Sequence, residues 1–348
     1  MTDFAEYLKN WNPPTQWQKI TTIDMHTAGE PLRIITSGLP VLHGNTILEK
    51  RKYMVDNYDH LRKMSMWEPR GHADMYGCII TQPVSKEADF GVIFMHNEGY
   101  SSMCGHGIIA ITKVAIETGL VKIVEPKTIV KIDSPAGLIT STGHIKKGKV
   151  NRVSFYNVPS YVVSLDSEVE IPKYGKIKYD LAFGGAYYVY VQAEDFELNC
   201  YSKDIDQLIY IGREIKKAVS NTVKIEHPRD NVLSFLYGTI FIGKPEDLNS
   251  HSRNVCIFAD GEVDRSPTGT GVSGRLAIHY ARGEVGADEP IIIESIIGSK
   301  FDGRVVKETK FDQYNAIIPE VTGESFITGK HKFYVDPEDS IKGGIFLR

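Results

Sequence analysis

Short runs rich in β-branched and aromatic residues, separated by glycine, proline, asparagine and aspartate, recur along most of the chain. Those at 150–156, 188–192, 234–242, 255–258, 290–296 and 332–335 have the length and composition of strands. Helical periodicity is rarer. It is clearest directly after Cys104 and after Thr268, and an apolar stripe of Ile205, Leu208, Ile209, Ile211 and Ile215 predicts a third helix over 204–220, used for packing. In the first of these runs, 108–118, apolar residues lie on nearly every face and only Lys113 and Glu117 are charged, which is the pattern of a buried helix. The first two runs end at Gly119 and Gly283, suited to the left-handed position after a helix C-terminus, and Arg282 suits the helix dipole. Each half of the chain therefore reads as a curved, mostly antiparallel sheet wrapped around one central helix, an α+β arrangement.

The two central helices begin in the same phrase. Met103-Cys104-Gly105-His106-Gly107 matches Ser266-Pro267-Thr268-Gly269-Thr270-Gly271, with a thiol in the first copy and a hydroxyl in the second. The match extends outward at constant spacing, pairing Phe94 with Phe258, Gly119 with Gly283, Val121 with Val285 and Glu125-Pro126 with Glu289-Pro290. A fainter echo joins Asp24 and Gly29 to Asp180 and Gly185. Two distant copies of one plan predict two pseudo-symmetric lobes facing each other across a cleft. The expected lobes are 1–155, carrying Cys104, and 156–324, carrying Thr268, with the crossover within 148–159 and the segment at about 325–348 free to pack back onto the first lobe.

Composition narrows the function classes. A length of 348 residues with 42% apolar content fits two ordinary globular domains. A net charge of −4 gives no basic face for nucleic acid, and Lys146-Lys147-Gly148-Lys149 reads as a solvated turn. No stretch approaches the apolar length of a membrane span, and residues 1–19 predict neither signal peptide nor anchor. The four cysteines, Cys78, Cys104, Cys200 and Cys256, are scattered and without CxxC spacing, which argues for a reducing, cytoplasmic setting and against a disulfide framework or structural zinc. His26, His72, His96 and His106 form no close ligand pair, so no metal is expected.

Residues 269–274 spell GxGxxG and 105–110 its GxGxxA variant, but the turn at Asp264-Arg265-Ser266-Pro267 stands where a dinucleotide fold needs a strand. What remains is the underlying physics: free N–H groups at a helix start bind anions. Two such starts facing one another would grip a small carboxylate. Cys104 at a helix N-terminus is expected to have a lowered pKa and to serve as base or nucleophile, whereas Cys78, Cys200 and Cys256 read as inert buried thiols. Thr268 does not titrate near neutrality and cannot be a second base. Simpler roles also fit: Ser266 or Thr268 as a helix N-cap, Asp264 as a turn cap and His106 as a packed side chain.

Asp24-Met25-His26-Thr27-Ala28-Gly29-Glu30-Pro31, Glu68-Pro69-Arg70-Gly71-His72, His96-Asn97-Glu98-Gly99-Tyr100, the Cys104 phrase, Phe183-Gly184-Gly185 and Asp264-Arg265-Ser266-Pro267 together resemble the proline racemase superfamily. The resemblance runs from about Ile20 to Leu347. It implies a diaminopimelate-epimerase-like fold with the active site between the lobes, no cofactor and a homodimer. Racemases and hydroxyproline epimerases of the family use two facing cysteines. This chain has Thr268 at the second position, which among family members marks dehydratases of trans-3-hydroxy-L-proline. The resemblance further implies that Gly105, His106, Gly269 and Thr270 meet the substrate through backbone N–H groups and that Asp264 accepts from its ring ammonium. His26 and His72 are expected to hold loops.

On that reading Cys104 removes the α-proton, the 3-hydroxyl departs and the enamine tautomerises to pyrroline-2-carboxylate. The hydroxyl and the α-hydrogen lie on one ring face, so the thiol itself can protonate the leaving oxygen, with His106 or a water held by Thr268 as alternatives. A racemase or 2-epimerase is the second reading and a non-catalytic imino-acid binding protein the third.

Overall fold

The computed structural model describes residues 4–347. The β-rich pattern of the sequence becomes eighteen hydrogen-bonded strands, and five α-helices stand among the described residues: α1 (Phe4–Asn10), α2 (Ile47–Met66), α3 (Gly105–Glu117), α4 (Ile205–Thr222) and α5 (Gly269–Ala281).

The repeated sequence phrase corresponds to a repeated topology. In the first half the hairpin Gln18–Thr27/Glu30–Ser37 leads through α2 to Tyr76–Thr81, which lies parallel to Glu30–Ser37. Phe90–His96 then leads through α3 to the parallel strand Lys127–Ser134. The second half repeats both steps. Gly175–Phe183/Tyr187–Gln192 leads through α4 to the parallel strand Leu236–Gly243, and Ser252–Phe258 leads through α5 to the parallel strand Ile291–Glu294. The other pairings between the described strands are antiparallel, most of them between strands joined as hairpins. Ser325–Val335 returns to pair with Gln18–Thr27, while Tyr314–Gly323 bonds to Lys149–Tyr156 and Ser160–Ile171, so sheet pairing ties the halves together.

The apolar run after Cys104 does form a buried helix: in α3 eleven residues from Gly105 to Ile116 are buried, Ile108, Ile109, Ala110 and Ile111 completely. Gly119 and Gly283 take the left-handed conformation at φ +79° and +71°, just past α3 and α5. Of the predicted α4 stripe Leu208, Ile211 and Ile215 are buried and Ile205 and Ile209 are half-buried against the core, while Val219 extends the buried face beyond the stripe.

The sequence pattern did not predict α2. Its apolar residues are sparse, and it is anchored instead by long cationic side chains whose stems are buried and whose heads reach carbonyls, Lys50 Nζ to Gln82 O at 2.7 Å and Arg62 Nη1 to His96 O at 2.9 Å.

Candidate active site

The starts of α3 and α5 abut, and the residues immediately before them, Cys104 and Thr268, line one small cavity. Every residue expected at the site is there: Cys104, Gly105, His106, Asp264, Thr268, Gly269 and Thr270. The remaining wall is Glu30, Met103, Cys256 and the aromatics Tyr76, Tyr188, Tyr237 and Phe258.

Cys104 occupies the N-cap position of α3 with extended backbone, and its Sγ accepts from Gly107 N–H at 3.2 Å. Its electrostatics differ from the sequence expectation. Burial pushes the thiol pKa well above its ordinary value, the Asp264 and Glu30 carboxyls add to this, and the Gly107 N–H and the Tyr76 hydroxyl only partly oppose them. The helix start does favour the thiolate, as expected, but desolvation outweighs it. Burial therefore favours the thiol form of Cys104.

A partner for that proton lies alongside. His106 Nδ1 is 3.2 Å from Cys104 Sγ, and burial lowers the imidazole pKa, so the ring is neutral. Nδ1 is the nearer ring nitrogen, with Nε2 at 3.6 Å, and an unprotonated ring nitrogen can accept from the thiol. The His106 carbonyl is held by Thr27 Oγ1 at 2.9 Å. His106 is thus packed, but against the thiol.

Thr268 is strained. Its φ of +65° and ψ of 94° lie where a β-branched residue is rarely found. It occupies the N-cap position of α5 without making a side-chain cap bond, and among the described residues its buried Oγ1 has no hydrogen-bond partner. Ser266 takes the local structural role, its Oγ accepting from Thr268 N–H at 3.1 Å. Asp264 does cap its turn, Oδ1 accepting from Ser266 N–H at 2.7 Å, and it also lines the cavity.

Cys256, read from sequence as inert, stands on the cavity wall beside Thr268, its thiol pushed well above the ordinary value by burial and by Asp264, with the neighbouring Thr268 hydroxyl acting in the opposite direction without reaching hydrogen-bond geometry. Cys78 and Cys200 lie off the cavity. His26 Nδ1 accepts from Gly29 N–H at 3.2 Å, and His72 Nδ1 lies 2.7 Å from the Ala73 carbonyl, so both serve loops. Among the described residues no cluster of His, Cys, Asp or Glu is placed to hold a metal ion.

The sequence motifs contained Glu30 without indicating its place. A turn through Ala28 and Gly29, both with positive φ, delivers Glu30 from the first half to the loop Asp264–Ser266 of the second. Tyr76, Tyr188, Tyr237 and Phe258 come from strands buried along most of their length, a pattern that marks them only as core. Their shared destination required the fold.

A fold of two like halves, each with a sheet curved about a central helix and with the helix starts meeting in a cleft, defines the α+β class of diaminopimelate-epimerase-like proteins. Within that class the chain belongs to the proline racemase family, whose profile matches residues 22–346. It is 48% identical to a trans-3-hydroxy-L-proline dehydratase of Colwellia psychrerythraea over 99% of this chain and 98% of that protein. It is 44% identical to a 3-hydroxyproline 2-epimerase of Burkholderia multivorans over 95% and 99%. The crystal structure of a hydroxyproline epimerase from Agrobacterium vitis with bound trans-4-hydroxy-L-proline superposes with a TM-score of 0.88 at 28% identity, covering 95% of this chain and 96% of that one.

Proposed function

We propose that this protein dehydrates trans-3-hydroxy-L-proline to pyrroline-2-carboxylate with Cys104 as the base. The observation that carries the reading is the pairing at the helix starts: a thiol with a proton acceptor at 3.2 Å on one side, and on the other a threonine hydroxyl that cannot titrate. Similarity to the Colwellia dehydratase supports the choice of substrate.

The substrate carboxylate sits against the N–H groups of Gly105, His106, Gly269 and Thr270, where two helix starts supply positive potential. Asp264 receives the ring ammonium. His106 takes the thiol proton, and the Cys104 thiolate takes the α-proton as the C2–H bond breaks. The electron pair forms the C2–C3 double bond while the C3–O bond breaks, and Cys104, on the same ring face, returns the proton to the departing oxygen as water. The enamine tautomerises to the imine. Thr268 offers no base or acid to the opposite face, so inversion at C2 is disfavoured. Because the retained ammonium is the main electron-withdrawing group, the preorganised N–H donors around the carboxylate carry much of the carbanion stabilisation.

The test is to incubate the protein separately with trans-3-hydroxy-L-proline, trans-4-hydroxy-L-proline and L-proline in heavy water and to follow products by NMR. Pyrroline-2-carboxylate from the 3-hydroxy compound alone, lost in Cys104→Ala, is the expected result. The Burkholderia relative favours a second reading, 2-epimerisation. Inverted, α-deuterated product without elimination would establish it and overturn the dehydratase.

A further inference from the structure

Glu30 is completely buried, lines the same cavity, and is only half satisfied. Its Oε2 accepts from Arg265 N–H at 2.8 Å, with the Arg265 guanidinium at 3.6 Å, whereas among the described residues Oε1 has no partner. A buried carboxyl oxygen without a partner costs free energy, and its place on the wall of a ligand cavity indicates what it is waiting for. Asp264 is the charged neighbour that acts on Glu30 most strongly. Two carboxyl groups, one from each half of the chain, line the same cavity, and Glu30 is bonded to the residue next to Asp264.

We propose that Glu30 is the second half of the ring-ammonium seat, and that it gives up its own proton in exchange for the cation of the substrate. The proposal rests on the imino-acid reading above. A secondary ammonium has two N–H donors, and the Asp264 and Glu30 carboxylates would take one each.

Charge bookkeeping fits the exchange. The groups around Glu30 are Asp264 and Arg265 on the loop before α5, Asp74 ahead of Tyr76–Thr81, Cys104 and His106 at the start of α3, and Cys256. Burial and Asp264 hold the Glu30 pKa well above the usual carboxylate range, which favours the protonated carboxyl in the free protein. An arriving ammonium takes over the role of that proton. Counting Glu30 and the ammonium alone, the charge is the same before and after; the substrate carboxylate adds one negative charge, which the N–H groups of the two helix starts take up.

The sign of the linkage follows. The free protein binds a proton that the complex releases, so affinity rises with pH, by about tenfold per unit for one proton, while Glu30 remains protonated in the free state. The substrate, a secondary amine, stays charged throughout.

The experiment is calorimetric titration of Cys104→Ala with trans-3-hydroxy-L-proline, in buffers of different ionisation enthalpy, between about pH 7 and 8. That variant cannot turn the substrate over, and it removes the thiol as a proton source. At this pH the buried His106 is neutral in the free protein. Release of about one proton per site is expected, abolished in Cys104→Ala/Glu30→Gln, whose affinity is at least tenfold weaker and independent of pH. Infrared difference spectra of Cys104→Ala supply a readout without a Glu30 variant: the protonated-carboxyl C=O stretch disappears on binding. No proton release, release that persists in the double variant, or an unchanged carboxyl band each overturns the proposal. Dehydration by the unaltered protein separately decides the reading on which it rests.

Discussion

Gly105 and Gly269 touch backbone to backbone. A Cβ built on Gly105 would stand 2.6 Å from Gly269 Cα, and one on Gly269 would stand 2.8 Å from Gly105 Cα. This contact sets how closely the positive ends of α3 and α5 approach. Gly105→Ala is expected to push them apart, at about 1–3 kcal/mol of stability, the usual cost of overpacking. The carboxylate seat widens at the same time, so KM for trans-3-hydroxy-L-proline should rise by tenfold or more, on the scale of losing one charge-assisted hydrogen bond. Thermal melts and steady-state kinetics on the one variant check both effects.

Thr268 trades stability for function. Its positive φ carries a strain of about 1–3 kcal/mol, and its hydroxyl is buried without a partner. Thr268→Val keeps the shape and removes the orphaned oxygen, so it should melt no lower than the parent, whereas Thr268→Gly relieves the backbone and should melt higher by about 1 kcal/mol equivalent. Turnover should fall in both, most in the glycine variant. A drop in melting temperature for both would show that Thr268 is a structural residue.

Much of this arrangement is legible in the sequence, and the boundary is physical. The equivalence of Cys104 and Thr268, the buried helices after them and the glycine stops follow from local chemistry and spacing. Local chemistry misjudged the Cys104 pKa, because the opposing effects are burial and two carboxyls brought from Glu30 and Asp264, far apart in the chain. The same holds for Cys256, whose strand pattern says only that it is buried. Helix α2 escaped because its inward anchors are Lys50 and Arg62, which a polar pattern assigns to solvent.

The Cys104–His106 pair fixes the pH profile. His106 must be neutral to take the thiol proton, and burial lowers its pKa below the ordinary histidine value of 6.5. Below its lowered value the ring is already protonated and cannot accept, so kcat at saturating substrate, where the Glu30 proton has already left, should fall only below pH 6.5. In His106→Ala the thiol must ionise unaided from a pKa well above the ordinary one. Activity at neutral pH should then fall by about 10²–10⁴-fold, the usual worth of a general base, and climb with pH through the alkaline range. A profile unchanged in shape would exclude His106 from proton transfer.

The loop that carries Thr268 is held from beneath by a buried polar chain. Asn254 Nδ2 donates to the Pro267 carbonyl at 3.2 Å, and Asn254 Oδ1 accepts from Arg275 Nη1 at 2.8 Å. Arg275, on α5, also reaches Ser252 Oγ at 3.1 Å and His279 Nε2 at 2.9 Å. Burial lowers the Arg275 pKa to about 10, so the guanidinium stays charged at neutral pH, held by neutral acceptors. Asn254→Leu removes a donor and an acceptor together and should cost about 2–5 kcal/mol, because it strands a buried cation and a buried carbonyl. Asn254→Asp separates stability from positioning. The carboxylate gives Arg275 a better partner, so melting should hold or rise, but it cannot donate to Pro267 and repels that carbonyl. The strained Thr268 backbone is then no longer held, and kcat should fall by tenfold or more, on the scale of one lost hydrogen bond. A variant that melts normally and turns over normally would show that Thr268 is positioned by α5 alone.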